Sequence, residues 1–435
     1  MRNIPAATGC LAALLLSLAL LACTSASQPT ASPAPAEAAL SRVAPEAVGL
    51  SSERLERLSA AMQGLVDDGR LAGITTLIAR HGKVAHLRTF GAQDMEAGKP
   101  MAQDAIFRIY SMTKPVTSVA LMLLYEEGRF QLSDPVENYI PEFKDLPVAV
   151  GEDDNGIVTE PADHPMTIRE LMSHTAGLSY GIFSESPVDA LYREAELMHP
   201  DSTLQDFIAD IAKIPLRQQP GSMWHYSVAV DVQGYLVEVL SGQPFDEFLK
   251  ERIFDPLGMD DTGFWVPQEK ADRFAQVYVY GEDGALKLPE GEPLRNRDYL
   301  SPVNFLSGGG GLVSTTMDYA RFCQMLLNGG ELDGVRLLAP STVALMHRNQ
   351  MPRDVPEYSP GQGFGLNFAV VLDPVEADRI SKGEYYWGGI AGTWFWIDPQ
   401  ESLIFVGMIQ QFGDNRPDVR SLSRRLTYQA IVADG

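Results

Sequence analysis

Apolar residues recur every three or four positions at Val116, Val119, Leu121, Met122 and Leu124, the spacing of one helix face. The same period predicts a helix carrying Leu55, Leu58, Met62, Leu65 and Val66, capped by Ser51 or Ser52, and another carrying Val232, Leu236, Val239 and Leu240. Further helices are expected over 245–257, stopped by Pro256 and Gly258, over 314–327 and over 419–433. Short apolar runs predict strands over 73–79 and 84–90, joined at His81 and Gly82. Others follow over 385–389, 392–397 and 403–410, with a hairpin turn at Asp398 and Pro399. Alternation puts Trp394 and Trp396 on one face, as core residues. Strands over 146–150 and 157–160 flank the acidic turn GEDDNG, which lacks the ligand spacing of a calcium loop and reads as a solvated hairpin tip. A short helix over 167–174 leads into HTAGL. The glycine run at 308–311 has no Lys-Ser/Thr after it and is no phosphate loop. The fold class is α/β (α+β): an antiparallel sheet flanked by helices, with a helical subdomain.

Ser111 and Lys114 stand three residues apart at the start of the 116–124 run, so hydroxyl and amine share one face. A helix start aims free N–H groups and partial positive charge at that spot. A serine hydroxyl becomes a nucleophile when a base takes its proton, and a lysine held neutral in a dry site can be that base without a histidine. One S-x-x-K spacing in 435 residues carries little alone. Its partners must come from elsewhere in the chain.

Hydrophobic residues make up 45% of the chain, enough for a sizeable core, and the net charge of −23 repels phosphate backbones and anionic bilayers. Nucleic acid is excluded as a partner. The N-terminus has Arg2, an apolar run over 11–22 and the ending Leu20-Leu21-Ala22-Cys23. That run is short for a bilayer span and has the layout of a secretory signal, and its ending resembles the bacterial lipoprotein box. Residues 1–22 are therefore expected to be a signal peptide and Cys23 a lipidated N-terminus. Residues 23–45 would be a Pro/Ala/Ser-rich tether and 46–435 the folded body, exported to the cell envelope, on the membrane facing the periplasm. Cys10 falls inside the signal, which leaves Cys323 as a lone, helix-borne core thiol and allows no intramolecular disulfide.

Three motifs follow in order: Ser111-Met112-Thr113-Lys114, Tyr226-Ser227-Val228 and Trp387-Gly388-Gly389. With HTAGL at His174, the stretch GGGGLVSTTMDYARF and the stretch FLKERIFDPLGM, this order resembles the serine β-lactamase and penicillin-binding-protein superfamily. Within it the chain is similar to class C β-lactamases and most nearly to family VIII carboxylesterases, from about Val48 onward. The resemblance implies a β-lactamase/transpeptidase-like fold, no cofactor and no metal. It makes Ser111 the nucleophile, Lys114 and Tyr226 its proton-handling partners, and the backbone N–H groups of Ser111 and Ile390 the oxyanion hole. Tyr110, Val228, Trp387, Gly388 and Gly389 would border the substrate. Two positions depart from the β-lactamase pattern. Val228 replaces an asparagine that holds an amide side chain, and Trp387 replaces a lysine near the drug carboxylate. Both changes withdraw recognition of an anionic amide and leave an apolar, aromatic site, which suits esters of uncharged acids.

Gly177-Leu178-Ser179-Tyr180-Gly181 matches G-x-S-x-G, but that motif works on a strand-to-helix turn. Here a helical pattern precedes it and a loop with Ser186-Pro187 follows, so Ser179 is not expected to be the nucleophile. His174 and His225 are expected to be structural, and the remaining histidines show no metal-ligand spacing. The expected function is a serine hydrolase forming an acyl-enzyme through Ser111, a carboxylesterase on small to medium acyl esters. The alternatives are a β-lactamase, a D-amino-acid peptidase or transesterase taking a β-lactam or D-peptide, or a non-catalytic envelope protein retaining the fold. For the anchor, Cys23→Ser is expected to release the protein from membranes or leave the precursor uncleaved. Intact mass is the check, and a free N-terminus downstream of Cys23 would remove the anchor from the account.

Overall fold

The computed structural model describes residues 39–154, 156–289, 297–413 and 415–434. The expected signal, Cys23 and the tether up to residue 38 lie outside the described residues. The folded body starts earlier than residue 46. Leu40 N–H donates to Gly82 O at 2.8 Å and Val43 N–H to Val84 O at 3.0 Å, and the Leu40 side chain enters the main core.

An eight-stranded antiparallel sheet organises the body, in the order Gln362–Phe364, Ala369–Val371, Tyr385–Gly388, Trp394–Asp398, Leu403–Met408, Gly73–Arg80, Lys83–Asp94, Lys99–Pro100. The first hairpin of the body thus pairs with the last strand, Thr75 opposite Met408 through Arg80 opposite Leu403. Alternation divides the side chains between two layers. Ile74, Ile78, Trp394, Trp396, Leu403 and Phe405 face the helices Ser52–Asp67 and Val419–Tyr428. Leu77, Ala79, Phe395, Ile397, Ile404 and Val406 face the larger helical body, in which Thr113–Glu126 is buried along almost its whole length. Trp394 and Trp396 are core residues, as their spacing implied. Among the described residues no helix is long and apolar enough to cross a membrane.

Three local expectations change. Pro256 does not stop its helix. Phe245–Leu249 runs into a π turn, Lys250–Phe254, and then Asp255–Leu257, with Pro256 inside the last turn and Gly258 closing it at φ 62°. A proline inside an α-helix strikes the carbonyl four residues back, and the wider π turn relieves that contact. The helix expected from 314 begins at Thr316, because Val313–Thr315 pairs as a strand with Ile106–Arg108. The edge strand Gln362–Phe364 and its neighbour Ala369–Val371 were invisible to periodicity, since three residues do not define an alternation.

His86 lies buried on the second strand, its Nε2 2.8 Å from Thr76 Oγ1. Burial, aided by Arg88, lowers its pKa from 6.5 to about 4. The unfolded chain takes up this proton first, so the contribution is whole above pH 6.5 and shrinks as the pH falls toward 4. A drop from 6.5 to about pH 5 costs about 2 kcal/mol through this one group. His86→Gln, which cannot ionise, is expected to lose that much less stability than the wild type over the same interval. Urea unfolding at the two pH values measures it.

Candidate active site

The short strand Ile106–Arg108 delivers the chain to a tight 3-10 turn, Tyr110–Met112, from which the helix Thr113–Glu126 departs. Tyr110 sits at φ 43°, a left-handed conformation that non-glycine residues adopt at a cost. Tertiary contacts hold it there. Its ring packs edge-on against Phe412 in a cluster with Val277 and Ala391, and it is 8% exposed. Tyr110 was expected to border the substrate. It is mostly buried and shapes the backbone that carries Ser111. The turn is tied down further by Tyr319, whose hydroxyl donates to Met112 O at 2.9 Å, and by Thr113 Oγ1, which accepts from Leu312 N–H at 3.1 Å.

Tyr226 reaches this turn from the segment before the helix Ala229–Ser241, and its hydroxyl donates to Ser111 Oγ at 2.7 Å. Lys114 is fully buried one helical turn below. Its ammonium donates to Gly309 O at 2.6 Å and to the Tyr180 hydroxyl at 2.8 Å. It also lies 4.7 Å from the Tyr226 ring centre and 5.3 Å from that of Tyr180, within cation–π range. Asp231 is buried beside this group. Its Oδ1 accepts from Ser307 Oγ at 2.5 Å and Gly309 N–H at 3.0 Å, and its Oδ2 has no hydrogen-bond partner among the described residues. Burial raises the Asp231 pKa, against Lys114 and these hydrogen bonds, which lower it. Burial, then Tyr226 and Asp231, push the Tyr180 phenol well above its ordinary range, so Tyr180 is a neutral acceptor for Lys114. The glycine run has its reason here. A Cβ on Gly309 would stand 2.7 Å from Asp231 Oδ2 and 2.9 Å from Tyr180 Oη, so a side chain there would push the carbonyl off Lys114.

Trp387-Gly388-Gly389 lies at the end of the strand Tyr385–Gly388, against the Ser111 turn. A Cβ on Gly389 would meet Ile109 O at 2.5 Å, so close approach requires glycine. Two arginines then orient the next peptides. Arg420 donates to Gly389 O at 2.9 Å and Thr393 O at 3.2 Å, and Arg416 to Ile390 O at 2.7 Å and Gln411 O at 2.9 Å. In a trans peptide the C=O and the following N–H point opposite ways, so the pull of Arg420 on Gly389 O sets the direction of Ile390 N–H. Neither Ser111 N–H nor Ile390 N–H donates to a backbone carbonyl among the described residues.

Above these donors the walls are aromatic. The Tyr226 ring has Trp387 at 5.6 Å, Tyr180 at 5.2 Å, Phe183 at 5.7 Å, Trp224 at 6.1 Å and His174 at 4.9 Å between centres. Trp387 in turn touches Phe364 and Tyr358. Val228, expected to border the substrate, is buried in the main core behind this wall. The open side of Gly388 is turned to the Arg420 guanidinium, 2.6 Å from where a Cβ would sit.

Ser179 is fully buried. It donates to Asp189 Oδ1, accepts from Gly181 N–H at 3.1 Å and lies 3.1 Å from His225 Nε2. In a catalytic triad the histidine stands between serine and carboxylate. Here the serine does, so no base is poised to deprotonate it toward solvent. His174 is structural, with Nδ1 3.2 Å from Ser227 Oγ and burial holding its pKa well below 6.5. Burial also pushes the Cys323 thiol up. Among the described residues no group of three or more His, Cys, Asp or Glu side chains is placed to hold a metal.

The structure thus brings Ser111, Lys114, Tyr226, Trp387 and Gly389 together as the motif order implied. It adds Tyr180, Asp231, Arg416 and Arg420, which no spacing singled out. Tyr180 sits one residue past Ser179, inside the G-x-S-x-G match.

Comparison with known proteins gives the chain its relatives. Residues 58–429 match the family model described as beta-lactamase. A Mycobacterium tuberculosis protein is 36% identical over 374 residues, covering 83% of this chain and 91% of its own length. Esterase EstB of Burkholderia gladioli is 32% identical over 370 residues, covering 81% and 89%. The solved structure of EstCE1, described as a hydrolase with promiscuous acyltransferase activity, superposes with a TM-score of 0.74 at 28% identity, over 86% of this chain and 99% of that one. A serine under a tyrosine and a buried lysine, on an antiparallel sheet of this connectivity, has these relatives because the chain belongs to the β-lactamase family of serine hydrolases.

Proposed function

We propose that the protein is a carboxylesterase that forms an acyl-enzyme on Ser111, acting on esters of small to medium uncharged acids. The observation that carries the reading is the 2.7 Å contact between Tyr226 and Ser111, with the Lys114 ammonium beneath the same phenol. EstB, an esterase by name, supports the substrate class.

The steps balance with a neutral phenol. As Ser111 Oγ bonds to the ester carbon, its proton passes to Tyr226 Oη, and Tyr226 gives its own proton to the departing alkoxide. The negative charge that develops on the carbonyl oxygen meets the N–H groups of Ser111 and Ile390, and two such fixed donors usually supply the largest single term. In deacylation a water attacks, gives its proton to Tyr226, and Tyr226 returns one to Ser111. Lys114 stays in its seat throughout, and its positive charge favours release of the phenol's own proton to the alkoxide as the serine proton arrives. Trp387 and its aromatic neighbours offer no cation to a β-lactam carboxylate. We further propose that export and lipidation at Cys23 hold this body in the cell envelope, the ending Leu20-Leu21-Ala22-Cys23 being the support.

Ser111→Ala is expected to remove the burst of p-nitrophenol from p-nitrophenyl butyrate and to lower turnover by about 10⁴-fold or more. Ser179→Ala is expected to keep most of it. Labelling with a fluorophosphonate followed by peptide mapping decides between them, and a label on Ser179 would end the assignment. On one preparation, kcat/KM for p-nitrophenyl butyrate is expected to exceed that for a chromogenic cephalosporin by about 10²-fold or more, because the cephalosporin must desolvate a carboxylate and an amide with no partner. Equal efficiency would overturn the substrate class and leave the nucleophile in place.

A further inference from the structure

Phe183 and Ile182 are neighbours, large and apolar, and 55% and 56% exposed. A single exposed apolar side chain needs no explanation, but here two are adjacent and Phe183 continues a wall that already surrounds the reacting groups. The Phe183 ring lies 5.7 Å from the Tyr226 ring and 6.1 Å from the Tyr180 ring. The backbone that carries them is fixed. The Asp189 carboxylate accepts from Ser179, Ser184 and Ser186 and has the Arg217 guanidinium at 4.0 Å. Arg193 donates to Gly181 O at 2.6 Å, and Gly181 sits at φ 75°, where a Cβ would come within 2.7 Å of Tyr192. The G-x-S-x-G segment is therefore an anchor, and it holds a phenylalanine and an isoleucine toward water beside the catalytic tyrosine. Holding apolar surface in water is unfavourable unless something covers it for part of the time.

The mechanism says which part of the substrate does so. This step rests on the esterase reading above. Tyr226 protonates the departing alkoxide, so the alcohol oxygen must come to Tyr226 Oη, and the carbon skeleton attached to it must leave along the rings packed around Tyr226. We propose that Ile182 and Phe183 form the outer wall of the alcohol-side pocket, and that the substrates are esters of apolar alcohols, alkyl or arylalkyl, long enough to reach past the Tyr226 ring. The acyl side, bounded by the Ser111 and Ile390 donors, gains nothing from this wall.

The test holds one half of the ester constant at a time. The wild-type enzyme is expected to prefer hexyl butyrate to methyl butyrate in kcat/KM, since each buried methylene is worth up to about fourfold. Phe183→Ala is expected to cut that preference by about tenfold, and Phe183→Leu, which keeps an apolar side chain, by much less. The preference between methyl hexanoate and methyl acetate is expected to move by less than about twofold in either variant, because the alcohol is the same. Loss of the acyl preference in place of the alcohol preference would put Phe183 on the other side of the scissile bond and overturn the inference. An unchanged alcohol preference in Phe183→Ala would overturn it as well. Failure of the wild type to turn over any of the four esters would instead strike the esterase reading itself, so the two failures are distinguishable.

Discussion

A lysine with no access to water is the constraint on which this site depends. An ammonium removed from solvent loses several kcal/mol unless its donors are met. Lys114 meets them with the Gly309 carbonyl and the Tyr180 hydroxyl, lies against the faces of Tyr180 and Tyr226, and has Asp231 close by. These groups come from the loop after HTAGL, from the approach to and start of the Ala229–Ser241 helix, and from the glycine run. Satisfying one charge therefore draws three distant stretches of chain to the base of the Ser111 helix. The same packing brings Tyr226 Oη to Ser111 Oγ, so the seating of the lysine and the tyrosine–serine contact are one arrangement.

The second half of the site is set by backbone direction. Sheet pairing carries Trp387 and Gly388 to the Ser111 turn, but pairing ends at Gly388, and the loop that follows has no ladder to orient it. Turn bonds from Gly389 N–H to Thr393 O at 2.8 Å and from Gly392 N–H to Gly389 O at 3.0 Å hold it, and Arg416 and Arg420 add to them, each donating to two carbonyls. Desolvation of its guanidinium lowers the Arg420 pKa, and both carbonyls accept from that group. These two residues act by aiming a peptide, with no need to touch a substrate.

The chemistry around these polar groups is apolar to an unusual degree. Where β-lactamases carry a second lysine and an amide, this chain has the half-buried ring of Trp387 and the core-buried Val228. The change at Val228 withdraws a side chain into the core, whereas Trp387 adds a surface to the cleft. Neither side chain carries a charge.

The spacing of apolar residues sufficed for the sheet strands at both ends of the body and for the long helices, because those elements are long enough to show a period and nearly every one is buried on a defined face. The three motifs brought forward Ser111, Lys114, Tyr226 and Trp387, which the structure sets side by side, because each is a particular residue type in a short local pattern. Local patterns could not show that Tyr110 and Val228 are buried, since one residue's spacing does not say which side of a turn is covered. Nor could they single out Asp231, Tyr180, Arg416 and Arg420, whose partners lie 66 to 195 residues away for the lysine and 27 to 31 for Arg420. Composition and motif order determined that this is a serine enzyme with an apolar site. Which groups hold its lysine, and which peptide faces its nucleophile, only the tertiary packing decided, because burial and peptide direction are properties of what surrounds a residue and not of its neighbours in the chain.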